Sequence, residues 1–313
     1  MDKSLSIVIL SFNRAEILIE NLEALLAQLN GHNIKIYVFD DSNNDEVKQS
    51  LENNFFLNDS LGYIRNDPSL GHDLNYVTSL LYPKTDYVWI MGDSTCIYKD
   101  TLSEIFTLLQ THNPHLLLIN SDGRNIDLPS KKYNDLSNFL GDLGWHSTLT
   151  GTCIYSRDVL NKIDMQVILR FKNFPQIASI FYNKIDCPNL YWYKKKLIFN
   201  RSYKTSYWSK KPFNVFLDDW SYAVNALPDD YSREVKDMAI LNHSVNTKIF
   251  SLTSMLKFRM DGALNINILR DKSLLLKTHS SIHLVFLFLL ALTPKTILKI
   301  LFWVKKNSRD QKK

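Results

Sequence analysis

The sequence predicts an α/β protein with a mainly parallel sheet covered by helices on both faces, and three observations carry that prediction. Short apolar runs alternate with segments whose leucines and isoleucines recur at helical spacing through the first 125 residues. Strands interleaved with helices pair in parallel, because each crossover helix has to bury its apolar stripe on the sheet. At 313 residues, 45% hydrophobic and 22% charged, the chain can bury a large core in one big or two modest domains.

The elements follow in order. Leu5 to Ser11 (LSIVILS) is an apolar run of the buried-strand type, and Ala15 to Leu29 repeats Ile17, Leu18, Leu22, Leu25, Leu26 and Leu29 on a helical face. Strand Ile34 to Phe39 and helix Asp45 to Asn54 come next, then strand Gly62 to Arg65 and helix Ser69 to Leu81. Strand Tyr87 to Met91, helix Lys99 to Thr111 and strand His115 to Asn120 complete the series.

Composition removes several classes of function. The nine glycines include no pair separated by one residue, so neither G-x-G-x-x-G nor G-x-x-x-x-G-K-[ST] is present. Any bound nucleotide must be held by side chains, a helix N-terminus or a metal. Cys96, Cys153 and Cys187 stand far apart, poor material for a disulfide framework or a zinc site, which suits a reducing, cytoplasmic compartment. The apolar stretch at Ile7 to Leu10 reads as a strand and not as a signal peptide. Of the net charge of +5, residues 295–313 supply +6 through seven basic residues and one acid, leaving the first 294 at −1. A nucleic-acid binder carries its charge on the body. None is expected as a partner.

In open α/β sheets ligands bind beyond the carboxyl ends of the strands. Three strand ends are polar or acidic here: Ser11-Phe12-Asn13-Arg14, Asp40-Asp41-Ser42-Asn43-Asn44-Asp45, and Gly92-Asp93-Ser94-Thr95. Singly, each reads equally as turn and cap chemistry. Together, on neighbouring strands, they point to a shared site.

At these residues the sequence resembles a family 2, GT-A type glycosyltransferase. The family's [PT]-[ST]-[YF]-N-[RK] turn is matched by Leu10 to Arg14, and its D-D-x-S-x-[DE] by Asp40 to Asp45, with the serine one place early. Asn66, Gly71, Asp73 and Asn75 follow its N-x-G-x-x-x-x-N stretch, and Asp86 to Asp93 its [DE]-Y-[IV]-x-[FW]-[LM]-x-D. Within the family the chain looks most like the abequosyltransferase-like group that builds bacterial O-antigen and capsule repeats. The resemblance implies transfer of one sugar, with inversion, from a nucleotide-sugar to a polyprenyl-linked oligosaccharide. Phe12 would face the base, Asp41 would accept from a base N–H, Asp40 or Asn13 would reach the ribose, and Asp73 and Asn75 would place the sugar. By the same resemblance Ser11, Arg14, Asn66 and Gly92 would line the same donor site. A divalent cation (Mg²⁺ or Mn²⁺) at Asp93 would bridge the phosphates. The second acid of D-x-D is absent, since Ser94 and Thr95 follow Asp93. That departure keeps open a non-catalytic relative that binds nucleotide-sugar or scaffolds an assembly complex.

The base that deprotonates the acceptor hydroxyl has several candidates. Asp218 and Asp219 form a carboxylate pair that can raise one pKa, but also read as an ordinary helix start. His146, in the Gly144-Trp145-His146-Ser147-Thr148 loop before a strand, and Asp186 are the others. From Leu190 to Trp208 aromatic and basic residues interleave, a pattern that suits sugar or pyrophosphate contact or simply an amphipathic strand.

The resemblance and the chain pattern divide the protein into a nucleotide-sugar half at 1–125, an acceptor half at 126–245 and a C-terminal helical region at 246–313. Leu284 to Leu292 (LVFLFLLAL) is uninterrupted apolar sequence, broken at Thr293-Pro294-Lys295, and is too short to span a bilayer. With Lys295, Lys299, Trp303, Lys305 and Lys306 beyond it, the tail reads as a peripheral attachment to the inner face of the cell membrane. The competing reading is a hydrophobic hairpin packed back on the domain.

Overall fold

The computed structural model describes residues 3–29, 31–55, 58–124, 126–201, 207–280 and 282–298. The first half builds β1 (Leu5–Ser11), α1 (Ala15–Leu26), β2 (Ile34–Asp40), α2 (Glu46–Phe55), β3 (Leu61–Arg65), α3 (His72–Leu81), β4 (Tyr87–Gly92), β5 (Thr95–Ile97), α4 (Thr101–His112) and β6 (Leu116–Ser121). Then come β7 (Lys131–Tyr133), α5 (Leu136–Leu143), β8 (Cys153–Ser156), α6 (Arg157–Leu160), α7 (Met165–Ile168), α8 (Pro175–Phe181) and β9 (Leu190–Asn200). A π-helical turn at Asn214–Asp219 leads into α9 (Trp220–Asn225), α10 (Arg233–Thr247), α11 (Leu252–Asp261), α12 (Ile266–His279) and α13 (Leu284–Leu292).

All nine strands join one sheet in the order β3-β2-β1-β4-β8-β6-β9-β5, with β7 also on β9. β1, β2, β3 and β4 are mutually parallel, and β6 is parallel to β9. β8 runs antiparallel to both β4 and β6, so it separates two groups of strands that point the same way. Period-two alternation sorts the side chains onto two faces. Along β1, Ile7 and Ile9 join a core with Leu18 and Leu22 of α1 and Ile105 of α4, while Val8 joins another with Val77 of α3 and Ile177 of α8. Both faces are therefore covered, as the apolar runs require.

Two boundaries differ from the sequence reading for local reasons. α1 stops at Leu26 because the Gln28 and Leu29 amides turn back to Leu25 and Leu26, a tighter i to i+3 pattern. α3 begins at His72 and not Ser69, because Asp41 captures the Ser69 hydroxyl and the Leu70 and Gly71 amides before the helix can form. The interleaved stretch after Leu190 is an amphipathic strand: Leu190 and Trp192 are buried, while Lys195 and Lys196 pair with Glu104 and Asp122. Its continuation at 202–206, with Tyr203 and Lys204, lies outside the described residues.

A third core joins Phe213 and Leu217 of the π-helical region to Phe258 of α11, Leu269 and Leu276 of α12, and Leu287, Leu290 and Ala291 of α13. Helix α13 thus packs back on α11 and α12, as the hairpin reading has it. Among the described residues no helix is long and apolar enough to cross a membrane. Lys299, Trp303, Lys305 and Lys306 lie outside them.

Candidate active site

Parallel pairing brings the three polar strand ends together. Ser11 stands opposite Asp40, and Leu10 opposite Gly92. Backbone bonds carry the pairing into the turns, with the Asp41 amide donating to Ser11 and the Asp93 amide to Leu10. Asn13 takes a left-handed backbone (φ 53), a conformation its short polar side chain tolerates. Its amide donates to Ser42 Oγ at 2.8 Å and its side-chain oxygen accepts from the Asn43 amide. Phe12 keeps 49% of its surface exposed, leaving an aromatic face at the mouth of the strand ends.

Asp40, the last residue of β2, and Asp41 just beyond it are both buried. Asp40 is fully buried and accepts from the Ser42 amide at 3.0 Å, the Tyr63 hydroxyl at 2.8 Å and Arg65 Nη1 at 3.1 Å. Burial first, and donation to Asp40 second, push the Tyr63 hydroxyl up to about 12. Asp41 accepts from Asn66 Nδ2, Ser69 Oγ and the Leu70 and Gly71 amides, all between 2.7 and 3.0 Å. Asn66 also donates to Asn75 Oδ1, which accepts from Ser79 as well. Asp41, Asn66 and Asn75 therefore form a polar chain that ties the end of β2 to α3. Asp40 reaches no ribose from inside the core; of the two residues expected there, Asn13 is the one at the surface of the turn.

Asp93 is buried, with Oδ1 paired to Arg14 Nη1 at 3.1 Å, Oδ2 accepting from the Phe12 amide, and its carbonyl accepting from Asn21. Burial raises its carboxyl above the usual carboxylate value, and Arg14 opposes that rise. A divalent ion asks for six or more oxygen ligands, or for a few with the rest from phosphate and water. Among the described residues no three His, Cys, Asp or Glu side chains come together to hold one. The single carboxylate at the expected place already neutralises a guanidinium. This donor set does not fit a metal cage made by the protein itself.

The remaining half of the site is brought in by Asn173. Its amide donates to Asp73 Oδ2 at 3.0 Å, at the start of α3, and its side-chain nitrogen donates to Asp219 Oδ2 at 2.6 Å. Asp219 closes the π-helical turn, an irregularity that recurs at functional positions. Burial raises its carboxyl, Asn173 lowers it, and the neighbouring Asp218 raises it again. Asp218 itself is paired with Lys272 of α12 at 2.5 Å. The two carboxylates of the pair are thereby given different surroundings, one paired with a lysine and one tied through Asn173 to the start of α3. Spacing gave no hint of Asn173 or Lys272; the signal for Asn173 is the loop before Pro175, which opens α8.

Two sequence candidates for the base fall elsewhere. His146 is fully buried, edge-on to Trp192, with Nε2 bound to the Ile119 carbonyl, and burial with nearby Arg124 pulls it down to about 3. It is part of the core. Asp186 is exposed just before β9, and β9 begins beside the beginning of β6. Asp186 therefore sits at the amino ends of the parallel strands, opposite the site.

The family described as glycosyl transferase family 2 matches residues 6–164. Abequosyltransferase RfbV of Salmonella typhimurium (strain LT2) is 25% identical over 260 residues, spanning 74% of this chain and 76% of that protein. The crystal structure of S. aureus TarS 1–349 in complex with UDP-GlcNAc superposes with a TM-score of 0.56 at 16% identity, over 88% of this chain and 81% of that one. The mannosyltransferase PcManGT from Pyrobaculum calidifontis, in complex with GDP-Man and Mn²⁺, gives 0.56 at 12% identity, over 88% and 81%. These two share the GT-A fold with this chain. Since the matched span is just over half of the chain and runs through the turns that hold Ser11, Asp41 and Asp93, the chain belongs to glycosyl transferase family 2.

Proposed function

We propose that this glycosyltransferase moves one sugar from a nucleotide-sugar to a lipid-linked oligosaccharide in bacterial surface polysaccharide assembly, with inversion at the anomeric carbon, at the inner face of the cell membrane. The likeness to an abequosyltransferase supports the sugar-transfer setting, and the UDP-GlcNAc and GDP-Man bound to the two structural neighbours support the donor class.

The observation that carries the mechanism is the Asp73–Asn173–Asp219 bridge. It sets a carboxylate of raised proton affinity against the segment that opens α3. Asp219 takes the proton of the acceptor hydroxyl as that oxygen bonds to the anomeric carbon. The bond from that carbon to the diphosphate oxygen breaks, and the nucleoside diphosphate leaves with the electron pair. Phe12 offers its exposed face to the base. Arg14, at the entrance of α1, meets the diphosphate charge with help from the helix N-terminus. Gly92 lets the end of β4 approach the donor closely. Residues 1–125 supply the donor half, 126–245 the acceptor half, and 246–313 the attachment region.

The test is transfer from UDP-, GDP-, CDP- and dTDP-sugars to a polyprenyl-diphosphate oligosaccharide, preceded by a thermal-shift screen of the same donors. The expected result is one donor that both stabilises the protein and is consumed with release of its nucleoside diphosphate. A donor that binds and is never consumed, with any acceptor, overturns the catalytic reading.

A further inference from the structure

Helix α13 is apolar all round, yet only one of its sides is used by the fold. Leu287, Leu290 and Ala291 are buried against α11 and α12. On the other side Val285 is 60% exposed, Phe286 45%, Leu289 59% and Leu292 61%. At 100° per residue these four fall within one arc, opposite the buried three. A packed helix normally turns polar residues outward. Here the outward arc holds none, and contiguous exposed apolar surface of this kind marks an interaction site.

The end of the helix is fixed. Arg259 of α11 donates from Nε and Nη2 to the Thr293 carbonyl at 3.0 and 2.9 Å, so the apolar arc is held in one orientation. Charge identifies what covers it. Lys295 follows immediately and is exposed, and the sequence from 295 to 313 has seven basic residues to one acid, against a body of −1. An apolar arc followed in the sequence by a run of basic residues is complementary to an anionic bilayer surface, which offers an acyl boundary to the one and headgroups to the other.

We propose that the exposed arc of α13, formed by Val285, Phe286, Leu289 and Leu292, is the membrane-docking face of this enzyme. It rests on the lipid-linked acceptor reading and gives that reading a geometry. The third core runs from α13 through Leu269 and Leu276 of α12 to Leu217, and α12 also supplies the Lys272 that holds Asp218. Docking of α13 therefore sets the height of the Asp219 turn above the bilayer.

The experiment is flotation of the full chain with phosphatidylcholine vesicles and with vesicles containing phosphatidylglycerol, for the native protein, Leu289→Asp and Val285→Asp/Leu289→Asp. Met238→Asp, exposed on α10, is the control. Native protein and control should float with the anionic vesicles and dissociate as salt rises. The α13 variants should partition at least tenfold less while keeping the native Tm and native transfer to a soluble acceptor lacking the lipid. Variants that float like the native chain overturn the docking face. So does a native homodimer, seen by light scattering, that Leu289→Asp converts to monomer without vesicle binding in either form. Vesicle binding that follows the expected pattern in a protein with no transfer activity leaves the docking face standing and removes the enzymatic reading.

Discussion

Replacing Asp219 with Asn separates proton acceptance from position. Asp219 Oδ2 accepts from Asn173 at 2.6 Å, and an amide oxygen can accept the same bond. What is lost is the ability to take the acceptor proton. A positioned base contributes roughly 10²- to 10⁴-fold, or about 2.7 to 5.4 kcal/mol at about 1.36 kcal/mol per tenfold. The fall should be in kcat, with donor affinity unchanged, in an assay that follows nucleoside diphosphate release. Stability should move the other way. Burial raises the Asp219 carboxyl in the folded chain, so its contribution to folding is present at pH below the unfolded value of 3.8 and lost as pH rises through the folded one. At neutral pH the ionised side chain is a net cost that Asn removes, and Tm should equal or exceed that of the native protein. The acidic limb of kcat/KM should also report Asp219, falling as it is protonated. Asp218→Asn deletes a charge that raises it, so the limb should shift to lower pH with kcat largely retained. If Asp219→Asn keeps more than a tenth of native kcat, or the limb stays in place when Asp218 is neutralised, Asp219 is not the base.

Other substitutions test the supports of the site. Asn173 has a left-handed backbone (φ 63), so Asn173→Gly should keep the fold and lose at least tenfold in kcat, while Asn173→Ala should show the same loss plus about 1 kcal/mol of destabilisation in urea melts. A Cβ at Gly92 would meet only Thr95 Oγ1, at 4.0 Å, so Gly92→Val should raise the donor Kd tenfold or more with Tm within about 2 °C of native. Gly151→Ala is the contrast: at φ 103 its Cβ would lie 2.9 Å from Thr95 Cγ2, and the damage should appear in Tm. Asp40→Ala removes the acceptor of Tyr63, Arg65 and the Ser42 amide and should cost about 3 kcal/mol of unfolding free energy, more than any loss in donor affinity accounts for. Chelation with EDTA should lower calorimetric affinity for the nucleoside diphosphate of the donor found in the screen less than Arg14→Ala does, since the Asp93 carboxylate expected to hold a cation is already paired with Arg14.

The elements and the clustering of the three polar strand ends could be read in the chain because their signals are local. LSIVILS is short, β-branched and bounded by polar residues, which reads as a buried strand, and parallel pairing puts the residues after each strand on one edge, so Asn13, Asp41 and Asp93 could be placed together from sequence. Their individual roles could not. Asp40 and Asp41 are adjacent carboxylates at a strand end, and only the folded chain shows that one is sealed under Tyr63 and Arg65 while the other gathers the loop before α3. The half proposed to hold the base was hidden for a different reason. Asn173 lies 100 residues from Asp73 and 46 from Asp219, and no periodicity reports contacts of that range. His146 misled because a loop before a strand is expected to lie at the surface, whereas the ring is buried and bound to a backbone carbonyl inside the core. Asp186 misled because a strand's direction decides which of its ends faces ligand, and the antiparallel β8 between β4 and β6 gives no local sign of itself. For α13 the difficulty is sharper. A helix that is apolar on every side has no period from which to choose an inner face, so the same nine residues supported both a packed hairpin and a membrane anchor. The structure buries one side, with Leu287 and Leu290 inside, and leaves Leu289 and Leu292 outside on the side proposed to dock. The two readings were alternatives only while the helix was treated as a single surface.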